Sequence, residues 1–296
     1  MADQDIAETL HEQAMALQDE GEEAQALALY ARALELDYAR PVTHYNIGLI
    51  HKYQRRWVES QEANRLAVEF EPEDEASNWN LAIAATANHD WRTAREVWQR
   101  LGLAIEPGDT PIEQDFGQTP VRLNPDGDAE VVWARRIDPV RARLLNIPYA
   151  DSGFRYGDIV LNDGAPVGER EVEGRVYSVF NVLELFQPSP NSTFEAELRV
   201  SGTQDVDALL QQLEAAGIAA EDWSRSVRTL CRQCSEGLPH EHHEQHDVVL
   251  DDRQPIRLIA IAGPDEQAIR QALHAWSDAQ RQLTRLDCVL AAGKPH

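Results

Sequence analysis

The sequence predicts a multidomain α+β protein. We expect a solenoid of three helical hairpins over residues 1–111, a small β-barrel-like domain over 112–192, and an α+β domain over 193–296. Three observations support this prediction. The N-terminal third repeats itself with a period of 34 residues. Apolar residues then change from helical spacing to short alternating runs between turn residues, and the last part alternates between strand and helix patterns.

Composition restricts the kinds of partner. The 296-residue chain carries 51 acidic and 27 basic residues, and its net charge of −24 repels nucleic-acid backbones and anionic lipid. A content of 43% hydrophobic residues indicates folded domains. No apolar run has the length of a membrane span, the first residues do not resemble a signal peptide, and three cysteines are not a secreted disulfide framework. We therefore expect a cytoplasmic protein without nucleic-acid or membrane partners.

The first element is the 34-residue repeat. Segments that start at Ala7, Pro41 and Glu75 align without a gap until their last few positions. A small side chain where two antiparallel helices cross lets their backbones approach, while larger apolar neighbours interdigitate around it. The small residues at the eighth and twentieth places are Ala14, Gly48 and Ala82, and then Ala26, Ser60 and Ala94.

These segments resemble the tetratricopeptide repeat family over residues 7–107. The resemblance is carried by Ala-Leu-Tyr-Ala-Arg-Ala-Leu-Glu-Leu-Asp at residues 28–37 and by Tyr-Asn-Ile-Gly at residues 45–48. The helix-terminating Pro72 occupies the place of the family's proline, whereas the first unit has Tyr38 there. The gapless triple period makes the match specific.

The resemblance implies a right-handed superhelix whose concave groove is lined by the first helix of each hairpin. In this family the groove commonly holds an extended or helical peptide. Its aromatic and aliphatic side chains are of the kind that anchors a protein partner. Alternatively, another part of the same chain fills the groove. The expected partner-contacting residues are Met15, Tyr45, Leu49, Lys52, Tyr53, Trp79 and Ile83.

The end of the repeat region lacks a usual feature. Repeat arrays commonly end in a helix with a polar outer face, because the last hairpin otherwise exposes its apolar side. Here the third unit is followed by Glu-Pro-Gly-Asp-Thr-Pro at residues 106–111 and by no amphipathic helix. We expect the C-terminal half, or a second copy in a homodimer, to cover the third repeat.

The short alternating runs of the middle segment, which are separated by turn residues, predict β structure. A small barrel is the natural closure for so few strands. Asp158, Asp163, Glu169 and Arg170 lie near glycines, and we interpret them as turn residues rather than as a catalytic site. Short segments near Trp133, Pro148 and Tyr156 are faintly similar to a bacterial domain of unknown function. The strand candidates are residues 130–137, 141–147, 158–161 and 175–186, with turns at 124–128 and 162–164.

The sequence pattern of the last segment predicts strands and helices in the order β-α-β-β-α-β. This order is that of the ferredoxin-like split fold, in which two helices cover one face of an antiparallel sheet. The scaffold is common and does not determine a function. The predicted strands are residues 193–200, 223–230, 255–262 and 286–290, and the predicted helices are 206–215 and 265–283.

One segment of this domain is rich in cysteine and histidine. Two thiolates two residues apart can occupy adjacent corners of a tetrahedral site, and nearby imidazoles can complete it. We therefore predict a structural zinc site, with a solvated loop or a redox-active dithiol as alternatives. Cys288 lies in an apolar strand, where we expect it to be core. The candidate ligands are Cys231, Cys234, His240, His242, His243 and His246.

Sequence motifs give no positive support for an enzyme. The chain contains no His-Glu-x-x-His, no phosphate-binding glycine-rich loop with lysine, and no Gly-x-Ser-x-Gly. The leading hypothesis is a protein- or peptide-binding adaptor with a zinc-stabilised C-terminal module. The alternative is a metal-handling, metal-dependent catalytic or redox protein in which residues 231–246 are the working site.

Overall fold

The computed structural model describes residues 2–172, 174–224 and 255–293. The chain divides into two compact units, Met1–Glu113 and Gln114–His296. The first unit is helical, and the described part of the second contains nine strands and two α-helices. The α+β multidomain class predicted from the sequence is therefore confirmed. The further division of the second unit at residue 192 stays a prediction.

The first unit consists of three helical hairpins in which each helix packs on the next. Pro41 occupies the first turn of the third helix, where its missing N–H has no intrahelical partner to lose. Asp74 and Asp90 cap the fifth and sixth helices by accepting from the backbone N–H of Ser77 and Thr93. The helices are α1 Ala2–Asp19, α2 Glu23–Leu36, α3 Pro41–Tyr53, α4 Trp57–Phe70, α5 Glu75–Ala87 and α6 Trp91–Arg100.

The turn inside each hairpin repeats the same left-handed backbone. Gly21, Arg55 and His89 have φ values of 82°, 58° and 57° and lie 34 residues apart. In the second turn, the N–H of the following residue, Arg56, donates to the carbonyl of His51 at 2.8 Å, which is the bond of a Schellman motif. Only glycine adopts this backbone without steric cost. The sequence period is therefore also a period of the backbone.

In the first two repeats, the small residue at the eighth place packs against the residue at the twenty-fourth place. Ala14 lies in a buried cluster with Tyr30, and a Cβ atom on Gly48 would meet Asn64. The Asn64 side chain donates to the carbonyl of Ser60 at 2.8 Å, and the Ser60 hydroxyl donates to the carbonyl of Gly48 at 2.8 Å. The middle hairpin therefore has a polar contact where the first has an aromatic side chain.

The chain after α6 is held against that helix without forming another helix. The Arg95 guanidinium donates to the carbonyls of Glu106, Thr110 and Pro111 at 2.6, 2.8 and 3.0 Å. Gln99 donates to the carbonyl of Ile105 at 2.6 Å. This non-helical segment therefore covers part of the last hairpin, a place where repeat arrays usually have a capping helix. Docking of the C-terminal half or of a second copy stays a prediction.

Five strands of the second unit close into a barrel. Neighbours along the chain pair antiparallel, and a parallel pair between the first and fifth strands completes the closure. The strands are β1 Gln118–Leu123, β2 Glu130–Arg136, β3 Arg141–Leu144, β4 Ile159–Val172 and β5 Arg175–Gln187. Alternate residues fill the interior, which is formed by Val121, Leu123, Val132, Ala134, Ala142, Leu144, Val160 and Val182.

Two features of the barrel differ from the sequence prediction. The strand β1 was not predicted, because Pro120 interrupts its alternating pattern. The strand β4 continues well beyond the predicted residues 158–161. Residues 162–164, predicted as a turn, lie inside β4, where its pairing with β5 shifts between Asn162 and Pro166. The turn-forming residues therefore make an irregularity within a strand rather than a chain reversal.

The rest of the second unit is a four-stranded antiparallel sheet with two helices. Its elements are β6 Ser192–Arg199, α7 Thr203–Ala215, β7 Ala219–Asp222, β8 Ile256–Gly263, α8 Glu266–Trp276 and β9 Gln282–Leu290. The strand order is β7-β8-β6-β9. Ile259 and Ile261 pack with the helices, whereas Ala260 and Ala262 pack on the other face with Ile147, beside the barrel. Alternation along β8 thus gives the sheet two buried faces.

Two predictions in this sheet were wrong, and a third falls mostly outside the described residues. Residues 225–230 of the strand predicted at 223–230 lie outside the described part, and the described strand β7 ends before it, at Asp222. The helix predicted to reach residue 283 ends at Trp276, because the Asp278 carboxylate accepts from the N–H groups of Gln280 and Arg281 and turns the chain. Cys288, expected in the core, is exposed. Its strand β9 pairs only with β6 among the described strands.

Candidate functional site

The first helices of the three hairpins lie side by side and are joined by two buried polar pairs. His11 of α1 lies 2.9 Å from Thr43 of α3, between the ring Nδ1 and the hydroxyl oxygen. Lys52 of α3 donates from Nζ to the side-chain carbonyl of Asn80 on α5 at 3.0 Å. All four side chains are buried. These pairs join α1 to α3 and α3 to α5.

Four of the predicted partner-contacting residues present accessible apolar surface there. Tyr53 is 58% exposed and Met15 is 39% exposed. Tyr45 and Leu49 are half-buried, two turns and one turn before Tyr53 respectively, on the same face of α3. Met15 and Leu49 occupy the same place in successive repeats. We call these four residues, Met15, Tyr45, Leu49 and Tyr53, the groove surface.

Two other predicted residues are buried. Lys52 is 3% exposed and Ile83 is 1% exposed. Besides its bond to Asn80, the Lys52 ammonium lies 5.1 Å from the centroid of the Tyr53 ring. This distance allows a cation–π contact that helps to position the ring. Lys52 therefore supports the groove surface from within, whereas Ile83 is a buried residue of α5.

The seventh predicted residue, Trp79, lines a cleft at the end of the third hairpin. Its indole N–H donates to Glu75 at 3.3 Å, and its ring packs edge-to-face on Trp98 with a centroid distance of 4.9 Å. Arg100 donates to the side chain of Asn78 at 2.9 Å across the same region. The open cleft of about 410 Å³ is lined by Pro72, Glu73, Glu75, Asn78, Trp79, Arg100, Leu101, Gly102 and Leu103. Trp79 therefore has a concave environment of its own.

Exposed apolar side chains are concentrated on the first two hairpins. In the part of the chain that the structure describes, nine large hydrophobic side chains are exposed, and seven of them lie between residues 6 and 58. Sequence reasoning missed most of these, because the repeat period indicates the direction of a side chain but not its depth. The seven are Ile6, Met15, Leu36, Tyr38, Val42, Tyr53 and Val58.

Three buried histidines support the hairpins from within. Burial lowers the pKa of His11, His44 and His51 from its ordinary value, because the charged ring loses hydration. The Nε2 atom of His44 lies 2.9 Å from the carbonyl of Tyr38, and its ring stacks on Phe70 at 5.7 Å between centroids. At neutral pH these rings are neutral and act as hydrogen-bonding core residues.

Two of the acidic residues singled out in the barrel region, Asp158 and Asp163, accept backbone hydrogen bonds. The Asp158 carboxylate accepts from the N–H groups of Arg155 and Ser189, both at 2.7 Å. Burial raises the pKa of Asp158, while these bonds oppose that shift. Asp163 accepts from the N–H of Gly164 at 2.7 Å. Asp158 belongs to the turn before β4, as interpreted, whereas Asp163, Glu169 and Arg170 lie inside β4, so their interpretation as turn residues was wrong.

The predicted metal ligands Cys231, Cys234, His240, His242, His243 and His246 lie outside the described residues. They belong to the connection between β7 and β8, which are antiparallel neighbours in the sheet. Within residues 2–172, 174–224 and 255–293, no group of three or more His, Cys, Asp or Glu side chains is placed to hold a metal ion. The same described residues contain no helix that is long and apolar enough to span a membrane.

No protein-family model and no curated protein matches the chain. Among solved structures, the first TPR domain of Spaghetti (RPAP3), bound to the HSP90 peptide SRMEEVD, is 17% identical over 33% of this chain and 78% of its own, with a TM-score of 0.32. The Sgt2 TPR domain from Aspergillus fumigatus is 21% identical over 32% and 62%, with a TM-score of 0.30. A hypothetical protein from Neisseria gonorrhoeae is 11% identical over 60% and 96%, with a TM-score of 0.28. With three hairpins, a 34-residue period and a repeated turn, the N-terminal third of this chain has the fold of a tetratricopeptide-type repeat segment.

Proposed function

We propose that this protein is an adaptor or scaffold that holds a segment of another protein on its groove surface. The observation that carries the proposal is the exposed apolar surface of the first two hairpins, above all Tyr53 and Met15 on the first helices. Exposed aromatic side chains next to other apolar groups are the residues that most often dominate binding energy. Complete burial of such a side chain is worth about 1.5–3 kcal/mol.

A matched pair of tyrosines tests this proposal. Tyr53 and Tyr38 are 58% and 57% exposed, but Tyr38 lies between α2 and α3, outside the groove surface. We expect Tyr53→Ala, and more strongly Tyr45→Ala with Tyr53→Ala, to remove partners that co-purify with the full chain. Tyr38→Ala should leave them in place. Quantitative mass spectrometry of the co-purified proteins measures both.

A variant that lacks all three exposed or cleft-lining aromatic residues can contradict the proposal. If the Tyr45, Tyr53 and Trp79 triple alanine variant kept every partner of the parent protein, the groove surface would have no role in binding. Circular dichroism of each variant shows whether the hairpins are intact, because α1 to α6 carry most of the described helix. A folded variant with an unchanged set of partners would therefore be decisive.

We also propose that the connection between β7 and β8 holds a structural zinc ion. The proposal is supported by the sequence alone: Cys231 and Cys234 are two residues apart, and four histidines follow within reach. A metal in this connection would link two neighbouring strands and stabilise the sheet. Metal handling, metal-dependent catalysis and dithiol chemistry by the same residues are the alternative functions.

Elemental analysis of the untagged full chain tests the zinc proposal. We expect about one zinc per chain, its loss in the Cys231→Ser, Cys234→Ser variant, and its retention in Cys288→Ser. The exposed Cys288 is the matched control. A lower melting temperature after chelation supports a structural ion, whereas rapid exchange without a thermal effect supports metal handling. A metal content below about one tenth per chain contradicts both.

A further inference from the structure

One face of α1 carries a regular stripe of acidic residues around a groove residue. Asp5, Glu8, Glu12, Met15 and Asp19 follow one another at alternating spacings of three and four, so that they lie on the same side of the helix. All five are exposed. Met15 belongs to the groove surface, and the four carboxylates therefore form the charged border of that surface on α1.

Positive charge is scarce around this stripe. No Lys or Arg occurs before Arg32, whereas eight Asp or Glu residues do. Three nearby cations, Lys52, Arg56 and Arg40, are engaged elsewhere or in the stripe itself. Lys52 is buried and donates to Asn80, and Arg56, which follows Tyr53 in the next turn, pairs with Glu59 at 2.5 Å.

The end of α1 adds further negative potential close to Tyr53. The last turn of α1 contains no basic residue, and the partial negative charge of the helix C-terminus adds to that of Asp19. Glu22 and Glu23 follow, and both accept from neutral amides, of Gln25 at 2.8 Å and of Gln54 at 2.6 Å. Gln54 directly follows Tyr53, so its bond to Glu23 joins this acidic end of the first hairpin to the end of α3.

One contact within the protein illustrates how a cationic side chain pairs with this acidic stripe. The Arg40 guanidinium lies against the Glu8 carboxylate at 2.5 Å and lowers the pKa of Glu8. Glu12 and Asp19 lie on the same face, further along α1 towards Tyr53. A partner that supplied Lys or Arg to them would repeat this contact while its apolar residues covered Met15 and Tyr53. An acidic partner would instead bring like charges together.

We infer that the groove surface takes a basic amphipathic peptide segment, with Lys or Arg side chains on Glu12 and Asp19 and apolar side chains on Met15 and Tyr53. This inference rests on the proposed function and specifies the chemistry of the partner. The favourable charge contribution increases the rate of association and selects against acidic segments.

A peptide display library tests the inference without knowledge of the natural partner. Random peptides of about 16 residues are selected on the full chain, and the enriched ones are synthesised for fluorescence anisotropy. We expect the enriched peptides to be net positive and amphipathic. Their affinity should fall about fivefold or more in Glu12→Lys, Asp19→Lys, and should also fall as salt rises from about 50 to 300 mM. Asp207→Lys, Glu214→Lys on the exposed face of α7 is the control with the same change of net charge.

The outcomes separate this inference from the proposed function. In two cases the inferred basic partner would be wrong while the groove would stand, provided that Tyr53→Ala weakened binding. In the first, the enriched peptides are neutral or acidic. In the second, the α1 charge reversal has no more effect than the α7 control. If no peptide were enriched, or if neither Tyr53→Ala nor the α1 reversal changed binding, both would be overturned. Both α1 positions are exposed and helical, so the charge reversal should fold.

Discussion

The middle hairpin offers a sharp test of how the repeats pack, because its small residue is already in contact with a buried side chain. A Cβ atom added to Gly48 would lie 2.4 Å from Nδ2 and 2.8 Å from Cγ of Asn64. The first distance is about 1 Å shorter than van der Waals contact. Asn64 cannot move away easily, since it is fully buried and donates to the carbonyl of Ser60 at 2.8 Å.

Two opposing terms determine the effect of Gly48→Ala. Alanine is favoured over glycine inside a helix by about 1 kcal/mol. Overpacking a buried site costs about 1–3 kcal/mol, and displacing Asn64 from its hydrogen bond adds to that loss. We therefore expect Gly48→Ala to lower the free energy of unfolding by about 1–2 kcal/mol. In an Asn64→Ala background the obstacle is gone, and the same change should stabilise the protein by up to about 1 kcal/mol.

The double-mutant cycle measures the contact directly. Urea unfolding followed by circular dichroism at 222 nm gives the free energy of the parent protein, both single variants and the double variant. We expect a coupling free energy of about 2–3 kcal/mol between the two positions. Ala82→Gly, at the equivalent place of the third hairpin, is the control and should destabilise through helix propensity and lost burial. A stabilising Gly48→Ala in the parent background, or a coupling below about 0.5 kcal/mol, would refute the packing scheme.

Three further predictions concern the same unit. Arg55 is exposed in a left-handed turn where the first hairpin has Gly21. Arg55→Gly should therefore stabilise the protein by about 0.5–1 kcal/mol, as measured by urea unfolding. A loss of stability would mean that the turn is not strained. Arg95→Ala removes the donors to three carbonyls after α6, so it should destabilise the protein by about 1–2 kcal/mol. It should also increase hydrogen exchange or proteolysis near residues 103–111. Arg92→Ala, on the exposed side of α6, should have neither effect. Since burial lowers the pKa of His11, His44 and His51, the unfolded chain binds more protons below a pH of about 6.5, and the melting temperature should fall progressively as the pH is lowered from 7.5 towards 5. Replacing His44 by Gln should reduce that slope, and an unchanged slope would assign the pH dependence to other groups.

The repeat region was predictable because one physical rule recurs three times. Small residues at helix crossings, such as Gly48, and the helix-terminating Pro72 are visible in the sequence at a fixed period. The left-handed turn could also have been found, since Gly21 marks it in the first hairpin. Arg55 and His89 conceal it in the other two, because their residue types do not indicate that conformation.

The depth of the groove residues was not predictable from the period. Repeat position tells which way a side chain points, but burial depends on the helices of the neighbouring hairpins. Lys52 and Tyr53 are adjacent in sequence, yet one is 3% and the other 58% exposed. Lys52 meets Asn80 of the next hairpin, a contact 28 residues away that no local pattern indicates.

The C-terminal unit was predicted less well because its signals are shorter. Pro120 concealed β1, and the asparagine and glycine near residue 163 suggested a turn inside what is one long strand. Cys288 was assigned to the core from its apolar neighbours. An edge strand exposes part of such a sequence, and edge position is a property of the sheet order and not of the strand itself.

The contacts that join the hairpins explain why the middle one matters most for the proposed groove. The joints between first helices include the polar pairs His11 with Thr43 and Lys52 with Asn80, and the core of the middle hairpin contains Asn64. In a repeat array, stability is approximately a sum of repeat terms and nearest-neighbour terms. A change that unfolds the middle hairpin removes both joints, whereas unfolding of the first removes one. A partner that bridges Met15 on α1 and Tyr53 on α3 would therefore stabilise the joint that contains His11, and its binding should weaken where His11 becomes protonated.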